Sequence, residues 1–246
     1  MIRADFAWLF AQLFAKLRRA GADVSVAHQL CDAVWRVTNG DRVVIVPRGL
    51  PGAGKSFLCS IIHGFCRDIG VEFVEASTDK YFCRSGKYVF GDRKEARQYC
   101  GELLRGTRRG VLVCLSNPNL DAHEIKDVFD DSGVQFSECV VLDVCTLYES
   151  RDQIEALRSL PEFRDFLAIP ARNKDGTETT NKRDPAKDEH YVKVLKSHPE
   201  LYACIEFFHK NTIHAMPLCA VLEMAMRCLP RCEFIAMLEQ TLFCSI

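Results

Sequence analysis

No long apolar run occurs in this sequence, and that absence first excludes a membrane-spanning helix. An apolar stretch within "MIRADFAWLFAQLFAKLRRAG" covers roughly ten residues, about half of what a span needs. The same stretch lacks the small-residue site at which a signal peptide is cleaved. Charge of one sign is also missing: 32 Lys plus Arg stand against 33 Asp plus Glu, a net charge of −1. No overall basic field therefore draws in nucleic acid or an anionic membrane, and a polyanionic partner needs a local patch. Glycine and proline are modest, 14 and 9 in 246 residues, so the composition is that of a globular chain. No internal repeat is visible.

Cysteine, by contrast, is abundant. The 13 cysteines are odd in number and scattered from Cys31 to Cys244 without a repeating spacing. Several, such as Cys59, Cys114 and Cys145, sit in apolar runs, where a free thiol behaves as a small hydrophobe. Reduced thiols are the expectation, and with them a cytoplasmic or nuclear location. Near the start, Phe6, Leu9, Phe10, Leu13, Phe14 and Leu17 recur at helical spacing, with Arg3, Gln12, Lys16 and Arg19 elsewhere. That pattern fits an amphipathic helix docked on the domain. It equally fits a helix that contacts a partner protein or a membrane surface.

Further on, apolar runs and helical patterns alternate. A helix over about Asp23 to Val37 is stopped by "TNGD", and "RVVIV" (Arg42 to Val46) reads as a buried strand. "KSFLCSIIHGFCRDIG" is a helix closed by Gly70, and "VEFVEAS" a second strand. "YFCRSGKYVF" reads as a loop or small hairpin turning at Ser85-Gly86. Asp92 and Glu95 have capping-box spacing before a helix that runs to about Leu104. "GVLVCLS" is a third strand, Asn119 a candidate cap for a helix ending near Gly133, and "SECVVLDV" a fourth strand. Ser150 with Gln153 opens another helix. Strands alternating with helices imply a parallel sheet covered on both faces.

Between the first strand and its helix lies Gly49-Leu50-Pro51-Gly52-Ala53-Gly54-Lys55-Ser56, a full G-x-x-x-x-G-K-[ST] match. A chain of this length shows such a match by chance about 1% of the time. Each residue type has a physical reason to be there. Gly49, Gly52 and Gly54 permit the backbone angles that turn successive N–H groups toward one anion. A helix beginning near Lys55 adds its positive end. Lys55 is expected to reach the β- and γ-phosphates of ATP, and Ser56 to hold Mg²⁺, with Phe57 completing the nucleotide-binding run. Past the second strand, "EASTDKYF" sets Asp79 at the carboxyl end, where ligand sites of such sheets lie. There it is a candidate base for a hydroxyl, or an aspartate that merely caps a turn or helix.

"RGLPGAGKS", then "STDKYF", "GKYVF" and "SNPN" together resemble the polynucleotide 5′-kinase type of P-loop kinase, over about residues 42 to 146. By that resemblance Asp79 activates an acceptor 5′-hydroxyl, while Lys55 and Ser56 serve phosphate and Mg²⁺. Asn117 and Asn119 fall where the family's "DNTN" asparagines stand. The departures are specific. Lys80 replaces the second acidic residue of "DDYF", and Ser116 replaces the Asp of "DNTN". Asp143 is a candidate replacement carboxylate, and it fits a capping role equally. Phe82 stands about where phage polynucleotide kinase carries an arginine, with Arg84 and Lys87 nearby.

The polar run "IPARNKDGTETTNKRDPAKDE" is long for a loop without structure of its own. It fits a solvated linker or a lid over the phosphates, and the likeness of "ARNKDG" to the "RNxHG" lid of the kinase-like relatives implies Arg172, or as second choice Arg183, as the lid arginine. The remainder is helical in pattern, broken at Pro199, Pro217 and Pro230, and fits packing on the core. His209, His214, Cys228 and Cys232 match no standard zinc spacing.

The expectation is thus an α/β, P-loop NTPase/kinase-like, three-layer fold with a parallel sheet and helical additions at both ends. Its parts would be an N-terminal helical extension (1–40), a kinase-like core (41–168), a lid or linker (169–189) and a C-terminal helical region (190–246). The expected activity is ATP–Mg²⁺-dependent phosphoryl transfer to a hydroxyl acceptor, with an RNA, DNA or nucleotide 5′ end as the best substrate. The alternatives are a catalytically decayed nucleotide-binding adaptor and an NTP hydrolase.

Overall fold

The computed structural model describes residues 2–19, 22–83, 89, 91–120, 122–130, 132–144, 151–166, 185–212 and 216–243. They form two compact units. The first comprises Met1–Gly49, Gly54–Cys145 and Leu229–Ile246; the second comprises Leu50–Ala53 and Thr146–Cys228.

A four-stranded, all-parallel sheet is the centre of the first unit: β1 (Val43–Arg48), β2 (Glu72–Ala76), β3 (Val111–Leu115) and β4 (Cys139–Asp143), in the order β2-β3-β1-β4. Val44 pairs with Val113, and Val46 with Val141. The central strands β1 and β3 are buried throughout and apolar as far as Arg48, because both their faces are covered. Val44, Val46, Val113 and Leu115 pack with α5 (Arg93–Gly106), α6 (Ala122–Phe129) and the C-terminal helix (Arg231–Phe243), around Cys100, Leu104, Phe129, Phe234 and Leu238. The alternate residues, including Ile45 and Cys114, turn toward α2 (Val24–Thr38) and α3 (Lys55–Asp68). The α/β class with a parallel sheet is as expected.

Helix α1 (Ile2–Arg19) packs on α2 and α3. Leu13 and Leu17 are fully buried, Phe10 meets Trp35 edge-on and Phe14 meets His28. The described part of the N-terminal apolar stripe is thus covered within this unit. No helix among the described residues is long and apolar enough to cross a membrane.

Chain order and sheet order together fix where a ligand site belongs. From β1 the chain steps outward past β3 to β2, whereas from β3 it crosses β1 to β4. Neighbouring strands β1 and β3 therefore send their crossover helices to opposite faces, and their carboxyl ends are where ligands of such sheets bind.

Two local expectations are corrected. Tyr81 and Phe82, read as the start of a loop or small hairpin, lie instead in a short helix, α4 (Thr78–Phe82), because Ser77 supplies an N-cap by accepting from the Asp79 N–H. Asn119 does not cap α6: its backbone is left-handed (φ 52°), and its amide turns back to the carbonyls of Pro47 and Leu115. The proposed turn at Ser85-Gly86 and the Ser150 cap lie outside the described residues.

The second unit is helical: α7 (Arg151–Ser159), a 3₁₀ segment (Pro161–Phe166), α8 (Pro185–Lys196), α9 (Pro199–Lys210) and α10 (Leu218–Arg227). Phe163, Leu195, Ile205, Phe208 and Leu222 fill its core. The last helix, α11 (Arg231–Phe243), belongs to the first unit. The three prolines read as breaks mark helix starts: Pro199 in the first turn of α9, Pro217 at the cap of α10 and Pro230 just before α11.

Candidate functional site

The glycine loop leaves β1 at Gly49 and enters α3 at Lys55. Gly52 and Gly54 have φ of 79° and 89°, the region in which a side chain is strained. A Cβ on Gly54 would meet nothing within 4 Å, so there the requirement is purely conformational. At Gly52 it is also steric, since a Cβ would overlap the Phe208 carbonyl oxygen and lie 2.9 Å from the Asn211 carbonyl carbon. The Ala53 N–H donates to Leu50 O at 3.0 Å, closing the tip. Lys55 is buried and its Nζ donates to the Gly49 carbonyl at 2.7 Å, so the ammonium lies back across the loop. Ser56 is exposed on the first turn of α3. Phe57, 59% exposed, lines a groove of about 480 Å³ together with Lys16, Arg19 and Arg67. Left-handed glycines, a buried ammonium and a helix start give this loop the chemistry of an anion cradle.

The segment after β3 holds its neighbours in place. Asn119 Nδ2 donates to Pro47 O and Leu115 O at 2.9 and 2.8 Å, joining the ends of β1 and β3. The Gly49 N–H donates to Pro118 O at 3.2 Å, which anchors the first glycine. On the other side, buried Asn117 accepts from both the Thr78 N–H and the Thr78 hydroxyl, at 2.9 and 3.1 Å. The asparagines thus act on backbone position. Asn117 also donates weakly to Cys100, whose thiol burial pushes up to about 11.

Asp79 is exposed in the first turn of α4. The loop ends β1 and α4 ends β2, with β3 between them, so the two lie two strand spacings apart, about 10 Å.

Arg48, just before the loop, escaped notice in the sequence. It is 1% exposed, donates to Asp143 Oδ1 at 3.1 Å and to the carbonyls of Asn119 and Leu229, and stacks on Phe234. Asp143 is therefore the counter-ion of a buried guanidinium. Glu75 was also missed. Its Oε1 accepts from the Ser116 hydroxyl at 2.8 Å and its Oε2 from Lys80 Nζ at 2.7 Å. Burial among apolar neighbours is the only sequence signal that could have singled out either.

Arg172, Arg183, Arg84, Lys87 and His214 lie outside the described residues. Among the described residues, no group of three or more His, Cys, Asp or Glu gathers to hold a metal. Comparison with protein-family models, curated proteins and solved structures finds no match to this chain.

Proposed function

We propose that the chain is a P-loop phosphotransferase that moves the γ-phosphoryl group of ATP to a hydroxyl acceptor, best a 5′-hydroxyl of a polynucleotide or nucleotide. The observation that carries this reading is the full G-x-x-x-x-G-K-S loop between a parallel strand and a helix, at the carboxyl end beside the switch in chain direction. The residues fit the group they would hold: the backbone angles at Gly52 and Gly54 suit a nest of N–H donors. Lys55 would exchange its bond to Gly49 O for phosphate oxygens, and the exposed Ser56 hydroxyl is free to turn toward a metal. Bound Mg²⁺ supplies charge neutralisation at the phosphates. Asp79, on a turn held by Asn117, would accept the acceptor's proton. Most of the acceleration would come from positioning and charge, since phosphoryl transfer asks little covalent chemistry of the protein.

The test is transfer of γ-labelled phosphate from ATP to 5′-hydroxyl RNA, DNA and nucleosides, with Lys55→Ala and Asp79→Asn alongside. Label on one acceptor class, lost in both variants, is expected. Binding of ATP without label on any acceptor would favour an adaptor, and phosphate release alone a hydrolase. No shift in melting temperature with ATP–Mg²⁺ would overturn all three.

A further inference from the structure

The two departures from the kinase pattern, Ser116 and Lys80, meet on one carboxylate. Glu75 is next to last in β2, opposite Cys114 in the register with β3, and its side chain is only 19% exposed. Each of its oxygens has a partner, Ser116 Oγ at 2.8 Å and Lys80 Nζ at 2.7 Å.

The position of this pair relative to the cradle follows from a contact in the layer above. Cys59 Sγ touches Cys114 Sγ at 2.6 Å, which sets the first part of α3 over β3, while farther along His63 stacks on Phe73 of β2. As the crossover from β1 to parallel β2, α3 runs against the strand direction. Three residues back from Cys59 is Ser56, about 4.5 Å along the helix. Two residues on from Cys114 is Ser116, about 6.6 Å along the strand. Both steps lead toward the carboxyl edge on the same face, so Ser56 and the Ser116–Glu75 pair belong to one layer at the start of α3.

A Mg²⁺ ion accompanying phosphates keeps several waters and needs one or two carboxylates to orient them. Asp143 is committed to buried Arg48, and Asp79 is exposed on α4, beyond the end of β2. Glu75 is the described carboxylate placed for the task. Lys80, 55% exposed on a long side chain, neutralises it and can swing to solvent when a cation arrives.

We propose that Glu75, with Ser116 as its hydroxyl partner, holds the water shell of the divalent cation that enters with a nucleoside triphosphate, and that Lys80 is its displaceable counter-charge. Glu75 is a positioning residue, acting through water and Ser116. The inference rests on the nucleotide reading above and adds to it.

The experiment is calorimetric titration of the full chain with ATP, in chelator and in Mg²⁺. Wild type is expected to bind ATP more tightly with Mg²⁺. Glu75→Gln, which keeps an acceptor for Ser116, should lose about 10- to 100-fold of that gain while its affinity in chelator is unchanged. Lys80→Met should enlarge the gain severalfold. With Mn²⁺ in place of Mg²⁺, the spin-resonance spectrum of protein-bound Mn²⁺–ATP should differ between wild type and Glu75→Gln. An equal Mg²⁺ gain in wild type and Glu75→Gln overturns the proposal and leaves the phosphotransferase reading standing. Equal loss of affinity in chelator and in Mg²⁺ also overturns it, since that marks a structural role. Absence of ATP binding by wild type overturns the nucleotide reading itself, and this inference with it.

Discussion

Arg48 and Asp143 form an ion pair of 3.1 Å at the adjoining carboxyl ends of β1 and β4, with the Arg48 side chain 1% exposed. A guanidinium there has lost its water. The carboxylate, the carbonyls of Asn119 and Leu229 and the Phe234 ring stand in for it. Its neighbour in sequence is the first glycine of the loop, so the pair that ties β1 to β4 also fixes where the glycine loop begins.

Breaking this pair from one side leaves a buried charge uncompensated. Arg48→Ala should lower unfolding stability by about 3–5 kcal/mol. Asp143→Asn should lower it less, because the guanidinium keeps its two carbonyl partners and the Phe234 ring and the asparagine oxygen still accepts from it. Urea unfolding checks the order; midpoints equal to wild type would show the pair contributes nothing.

The two left-handed glycines of the loop should respond differently to alanine. Gly54→Ala has open space and bears only the backbone penalty, about 1–2 kcal/mol. Gly52→Ala bears that penalty plus overlap with the Phe208 carbonyl, so backbone must move as well. Thermal unfolding should rank Gly52→Ala below Gly54→Ala, and the reverse order would contradict the contact with the end of α9.

Asn117→Ala removes the acceptor of two Thr78 donors. The expected loss is about 1–3 kcal/mol. Hydrogen exchange should quicken in α4, around Asp79, more than in β1. Unchanged protection of Thr78–Phe82 would show that Asn117 does not hold this turn.

Cysteine reactivity should divide by burial. Burial raises the Cys66 thiol to about 12 and Cys100 to about 11, whereas Cys83 and Cys232 are exposed. At pH 8 iodoacetamide should label Cys83 and Cys232 in the native protein and reach Cys66 and Cys100 only after unfolding. The folded thiols bind their protons more tightly than unfolded ones. The stability they leave intact below pH 9 is therefore lost as pH rises from 9 through about 11 to 12. Peptide mapping and unfolding between pH 8 and 11 check both statements.

Much of the frame was legible in the sequence because it depends on local chemistry. Four short apolar runs rich in valine gave four strands, and Asp92 caps the helix that follows it. The glycine loop declared itself because its backbone angles demand glycine wherever they occur. Patterning also placed Leu13 and Leu17 on one buried face of α1. What local pattern could not convey was which side chains meet across distance. Asp143 read as a spare carboxylate until β4 fell beside β1 and brought it to Arg48, 95 residues away. Asn119 read as a helix cap because an asparagine before a helix usually is one, yet two carbonyls from separate strands claim its amide. Glu75 read as one more strand residue, and only the β2–β3 register brings its carboxylate to Ser116. Alternation and capping are written in neighbouring residues, while the pairing of buried charges is decided by strand order, which no short stretch of sequence contains.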